Sequence, residues 1–247
     1  MMKYMNVLAH RSYVRRVMSK LPITTTPISE QRRHLEKITQ NAAIPSTVDV
    51  SDITLHLPGQ PSIDAEWIKP HSNTPSQVLL YFHGGGFIVG SKETHRPMIS
   101  HITKSANIQA LSINYRLAPE HTYPAAHQDC LNAYKWLLSN DYEPQQIILG
   151  GDSAGAFFVL QTLLEIKRQG LDQPQAAFLL SPLADALYFN GESYVSKRKR
   201  DPWLKADQIP ALVDLYLGKS PDRPSSLSPI NANLSGFPPI LTHVGED

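Results

Sequence analysis

The chain has 247 residues, a formal net charge of +1 and a charged fraction of 18%. That length is within reach of one large α/β domain with a sizeable core, and the charge balance argues against electrostatic binding of nucleic acid. A single cysteine, Cys130, excludes an internal disulfide and a cysteine-built zinc site.

Residues 1–21 are basic but lack the continuous apolar segment of a secretion signal, and no run is long enough to span a membrane. The expectation is therefore a cytoplasmic protein. Val7, Val14, Val17, Met18 and Leu21 recur at helical spacing and read as a helix packed on its own domain, with a weak membrane-surface helix as the alternative. Thr26-Pro27, with Glu30 near the positive end of the dipole, starts a second helix. Its apolar face is Ile28, Leu35, Ile38 and Ala42, and the stretch 41–46 with Pro45 ends it.

Strands follow. Residues 53–57 alternate like a half-exposed edge strand, Pro58-Gly59 turns, and 63–68 returns as the second arm of a hairpin. Val78-Leu79-Leu80-Tyr81-Phe82 is apolar throughout, as a parallel strand covered on both faces must be. His83-Gly84-Gly85-Gly86-Phe87 comes directly after it. A glycine run there could cradle a phosphate, but the dinucleotide fingerprint needs G-x-G-x-x-G opening a helix. Here the next glycine, Gly90, is one place late. The other reading is a set of bare backbone amides that can face a developing negative oxygen.

Residues 108–113 form another strand, and 124–139 a helix with Ala126, Cys130, Ala133 and Leu137 on one face, so Cys130 fills the core. Strand 146–149 runs into Gly150-Gly151-Asp152-Ser153-Ala154-Gly155 and then a long apolar helix ended by Gly170. Gly151-x-Ser153-x-Gly155 between strand and helix is the nucleophile-elbow pattern. Glycines two before and two after the serine remove side chains that would clash in so tight a turn. On the pattern alone a glycine-rich turn without chemistry stays open, and the strand before and helix after favour the elbow. Residues 176–180 are a buried strand, 185–219 are polar and helical, 196–200 are a basic, solvated run, and 240–244 are a last strand. Alternation of strand and helix after residue 78 argues for a mostly parallel sheet with helices on both faces.

Two motifs of one mechanism stand in order on the right junctions. With Tyr115-Arg116-Leu117-Ala118-Pro119-Glu120, Tyr123-Pro124-Ala125-Ala126 and Ser181-Pro182-Leu183-Ala184-Asp185, the chain resembles the hormone-sensitive-lipase-like branch of the α/β-hydrolase fold from about residue 50 onward. The resemblance implies one domain over residues 1–247. Its core would be about 46–184 and 221–247, with a helical cap from 1–45 and 185–220. It implies a serine carboxylic-ester hydrolase for short-chain esters or small lactones, without cofactor or metal. By position, Ser153 is the nucleophile. The amides of Gly85, Gly86 and Ala154 form the oxyanion hole, and Gly84 gives that loop room. His83 braces the loop, Asp152 is a structural hydrogen-bonding residue, and 115–120 support the site.

The family's acid follows the strand at 240–244, where the chain reads Gly245-Glu246-Asp247. Asp247 falls about where that acid belongs, with Glu246 or a residue just past 247 competing. The resemblance puts the base histidine, a strand and a helix further on. A histidine at 10, 34, 56, 71, 95, 101, 121, 127 or 243 would have to be relocated to replace it. The expectation is a truncated member, weak or inactive as given. The alternatives are a silent hydrolase-like binding protein for a small ligand, and a non-functional shortened gene product.

Overall fold

A computed structural model describes residues 25–71, 76–197, 205–218 and 223–245, together with Ser12, Arg16 and Arg200. The helix expected within residues 1–21 lies outside them apart from Ser12 and Arg16. Among the described residues seven strands form one sheet: β1 (Val48–Leu55), β2 (Ile63–Pro70), β3 (Val78–Phe82), β4 (Gln109–Asn114), β5 (Ile147–Asp152), β6 (Ala176–Leu180) and β7 (Ile240–His243). Their spatial order is β1-β2-β4-β3-β5-β6-β7. β1 pairs antiparallel with β2, and β2 with β4; every later pairing is parallel. The hairpin and the mostly parallel sheet are as the sequence reads.

Helices are α1 (Ile28–Thr39), α2 (Lys92–Ala106), α3 (Ala125–Ser139), α4 (Ala154–Arg168), α5 (Glu192–Ser196) and α6 (Gln208–Leu217). β3 shows why both sheet faces need cover. Val78, Leu80 and Phe82 join Cys130 and Leu137 of α3 and Phe157 and Leu163 of α4 in one cluster, while Leu79 and Tyr81 meet Ile99 of α2 in another. α4 is buried without interruption from Ala154 to Leu163, the pattern of a helix inside a core rather than on it. Each of its large apolar side chains contributes on the order of 1.5–3 kcal/mol by burial. Among the described residues no helix is long and apolar enough to cross a membrane.

Three local differences have physical causes. α2 escapes a periodicity reading because Pro97 sits inside it and it buries Lys92, Thr94, Ser100 and Thr103 with a single apolar residue, Ile99. In the structure its start is closed by a capping box between Ser91 and Thr94, without the glutamate or glutamine that would mark it in the sequence. β1 begins at Val48 rather than 53, since Asp49, Ser51 and Asp52 interrupt the apolar pattern. α1 stops at Thr39, so Ala42 is outside it; Ile28 and Leu35 pack on the core while Ile38 is exposed.

Candidate active site

In the β3–β5 register Phe82 is opposite Gly151. The loop after β3 and the turn after β5 therefore leave the sheet side by side at its carboxyl edge, where α/β sheets hold their ligands. Ser153 has φ +50° and ψ −115°, a region costly for any residue with a Cβ. Its backbone is pinned: its N–H donates to the Leu180 carbonyl at 2.9 Å, and its carbonyl accepts from Phe157 N–H at 3.1 Å and Leu183 N–H at 3.2 Å. Among the described residues nothing hydrogen-bonds its hydroxyl.

The glycines have steric reasons. A Cβ on Gly155 would lie 2.0 Å from the Phe82 carbonyl oxygen, and one on Gly151 would lie 2.6 Å from the Gly155 carbonyl carbon. α4 thus starts pressed against the end of β3, and only bare backbone allows it. Across the gap, a Cβ on Gly84 would lie 2.1 Å from Asp152 Oδ2.

Gly85 and Gly86 take φ +128° and +57°. The peptide planes of the loop are fixed from behind. The His83 Nδ1–H donates to the Gly84 carbonyl at 2.7 Å, and that carbonyl shares its plane with the Gly85 N–H. Ile88 and Val89 N–H donate to the Gly85 carbonyl at 3.2 and 3.0 Å, and that carbonyl shares its plane with the Gly86 N–H. Gly84 N–H is used, donating to Asp152 Oδ1 at 2.9 Å. The N–H groups of Gly85, Gly86 and Ala154 donate to no group among the described residues. The sequence assigns these three to the oxyanion hole.

His83 is 1% exposed and stacks on Tyr115 at 4.2 Å, while the Tyr115 hydroxyl donates to the His83 carbonyl at 2.6 Å. Burial pushes its imidazole down to about 3, with the neighbouring His95 ring adding to the effect. It is a neutral brace. Asp152 accepts from the Tyr81 hydroxyl at 2.8 Å, and its Oδ1 lies 3.4 Å from His95 Nε2. Burial works to raise its carboxyl, but His95, Tyr81 and the Gly84 N–H together hold it below the ordinary carboxylate value. Tyr81 and His95 belong to no motif that marks them as supports: the sequence reads Tyr81 as strand and His95 as a histidine needing relocation, on the helix hidden by Pro97. The 115–120 loop is anchored by Arg116, which grips the buried Asp129 through Nε and Nη2 at 2.9 and 2.8 Å.

Asp247 and Glu246 lie outside the described residues. None of the described histidines hydrogen-bonds Ser153. His56 meets Ser62, His71 meets Asp49, and His127 sits edge-on among Tyr123, Phe158 and Tyr216. A cavity of about 970 Å³ lies beside α3 and α4, lined by residues such as His127, Gln161, Arg168 and Tyr188. Ser153, Gly85 and Gly86 do not line it. The site is therefore defined by backbone geometry at the sheet edge.

A family profile described as alpha/beta hydrolase fold matches residues 79–247. The chain belongs to that family, in its hormone-sensitive-lipase-like branch. It is 34% identical over 183 residues to an acetyl-hydrolase of Streptomyces hygroscopicus, covering 74% of this chain and 60% of the relative. It is also 34% identical over 185 residues to an esterase of Acinetobacter venetianus, with the same coverages. Thus the chain spans about 60% of the length of these curated relatives. Among solved structures, an esterase from the bacterial hormone-sensitive lipase family superposes with a TM-score of 0.82 at 35% identity, covering 94% of this chain and 76% of that one. An esterase/lipase from an uncultured bacterium gives 0.86 at 35%, covering 98% and 78%.

Proposed function

We propose that this chain carries the acylation machinery of a serine carboxylic-ester hydrolase for short-chain esters or small lactones. Ser153 Oγ attacks the ester carbonyl carbon, and the N–H groups of Gly85, Gly86 and Ala154 receive the negative oxygen. The ester C–O bond breaks, the alcohol leaves carrying the proton that the Ser153 hydroxyl gives up, and water then hydrolyses the acyl-serine ester, freeing the acid and restoring the hydroxyl. The observation that carries this reading is the strained Ser153 beside three N–H groups without partners among the described residues. The names of the relatives, acetyl-hydrolase and esterase, agree with it.

Asp247 is proposed as the triad acid. No described histidine is bonded to Ser153, and slow turnover by these residues is part of the proposal. A ligand-holding role without turnover is the second reading, favoured by that same observation. Hydrolysis of p-nitrophenyl acetate and butyrate, by wild type and by Ser153→Ala, tests the proposal. The expected result is a low rate that disappears in Ser153→Ala. An equal rate in both removes Ser153 from the chemistry. A rate on the order of 10 s⁻¹, typical of enzymes, that is lost in Ser153→Ala would show an efficient base to be present.

A further inference from the structure

Arg32 of α1 reaches the two loops that frame the oxyanion glycines. Its Nε donates to the Ile88 carbonyl at 2.7 Å, and its Nη2 donates to the Ala118 carbonyl at 3.0 Å. Nη1 and Nη2 also form a fork on Glu120 at 2.9 and 2.8 Å. The two loops touch directly as well, through the Ala118 N–H on the Phe87 carbonyl at 3.0 Å. One planar guanidinium therefore closes a ring that contains 85–88, 118–120 and α1. Lysine, a point charge on a flexible stem, cannot hold three acceptors in that plane.

Ile88 is the hinge of this arrangement. Its carbonyl is held by Arg32, and its N–H is one of two that fix the Gly85 carbonyl. The Gly85 carbonyl and the Gly86 N–H belong to one peptide plane, so turning one turns the other. Gly86 at φ +57° has no side chain to resist that rotation. Restraint must come from outside the turn. Tyr216 of α6 supplies part of it by stacking on Phe87 at 4.3 Å, and Arg32 supplies the polar part.

We propose that Arg32 is a positioning residue for the oxyanion hole, locking the 85–88 turn so that the Gly86 N–H keeps its direction. The catalytic part of this inference rests on the esterase reading above; the restraint on the loop does not. It gives the helix before the first strand a mechanical link to the chemistry, across 56 residues of sequence.

The test compares wild type, Arg32→Met, Arg32→Lys and Glu120→Gln, all as full chains. Hydrogen exchange by mass spectrometry reads the peptide spanning 84–90, with β3 and α4 peptides as internal references. In Arg32→Met the Ile88 and Val89 amides should exchange about tenfold faster while the references hold. Arg32→Lys should recover only part of the protection. Glu120→Gln, which keeps the donors on both carbonyls, should lose little. Saturation labelling of Ser153 with a p-nitrophenyl phosphonate supplies the second readout. Arg32→Met should lower the maximal labelling rate about tenfold with the half-saturating concentration nearly unchanged. Unchanged exchange at 84–90, or an equal rise in the references, overturns the proposal. So does a Glu120→Gln effect as large as that of Arg32→Met. If wild type takes no label at Ser153, the esterase reading fails, and the exchange arm still decides whether Arg32 locks the loop.

Discussion

Replacing Ser153 by glycine should stabilise the fold while removing the proposed nucleophile. At φ +50° and ψ −115° the serine Cβ is forced into a region open mainly to glycine. Residues held in such regions cost about 1–3 kcal/mol each. Glycine relieves that cost, but its freer unfolded chain returns about 0.5–1 kcal/mol of it. The net expectation for Ser153→Gly is a gain of about 0.5–2 kcal/mol over Ser153→Ala, which keeps the Cβ and the strain. For a domain of this size that is roughly 2–4 °C in Tm per kcal/mol. The serine hydroxyl has no partner among the described residues, so its loss removes no hydrogen bond they supply. Urea unfolding of wild type, Ser153→Ala and Ser153→Gly measures the effect. Ser153→Gly being the least stable of the three would show that the turn is not strained, and the elbow argument would lose its physical basis.

Other consequences follow from the same geometry. Gly86→Val keeps the N–H but sets a branched side chain beside it at φ +57°, so it should obstruct or turn that donor and lower hydrolysis and phosphonate labelling about 10²–10³-fold, the roughly 2.7–4 kcal/mol that one oxyanion donor is worth. At φ +57° the new side chain is strained, but the atoms nearest its Cβ belong to the Leu212 side chain, the first at 2.9 Å, whereas Gly85→Val would drive a Cβ to 2.0 Å from the Val89 carbonyl oxygen and move the loop itself. Circular dichroism beside both assays should therefore show Gly86→Val to be the cleaner variant, and unchanged turnover in it would reduce the glycine to a turn residue. His83, with its imidazole at about 3 when folded and about 6.5 when unfolded, contributes stability that is complete above pH 6.5. That contribution is lost as pH falls toward 3, at up to about 1.4 kcal/mol per pH unit, so stability between pH 7.5 and 5 should fall less steeply in His83→Asn than in wild type. Equal slopes in urea titrations would contradict this. Glu66 is 0% exposed, and Arg96 binds it through Nε and Nη2 at 2.9 and 2.6 Å. Arg96→Met should cost about 3–5 kcal/mol, and the double variant with Glu66→Gln should recover much of it; a loss under 1 kcal/mol would mean the carboxyl, already raised by burial, takes up a proton or finds water.

The candidate site was legible where its parts are contiguous in the chain. Apolar strand, glycine run and apolar helix around Ser153 are neighbours in sequence because the elbow is a single turn, and the same holds for the strand at 78–82 and its glycines. Its supports were not legible. Asp152 is held by Tyr81, Gly84 and His95, and Ile88 by Arg32, all from distant segments with no shared period. Arg32 reads as one more charge on an amphipathic helix, because a fork onto backbone carbonyls leaves no trace in the acceptor residues' identities. α2 shows the converse failure. Ser91-x-x-Thr94 lacks the glutamate or glutamine that marks a capping box in sequence, and Pro97 and the polar buried face masked the 3.6-residue period.

The central claim, that Ser153 is the nucleophile, is tested most directly by intact mass after incubation with an activated phosphonate ester. One equivalent should add to wild type, however slowly, and none to Ser153→Ala. Equal labelling of both chains, or label mapped by peptide digestion to any other residue, would contradict it.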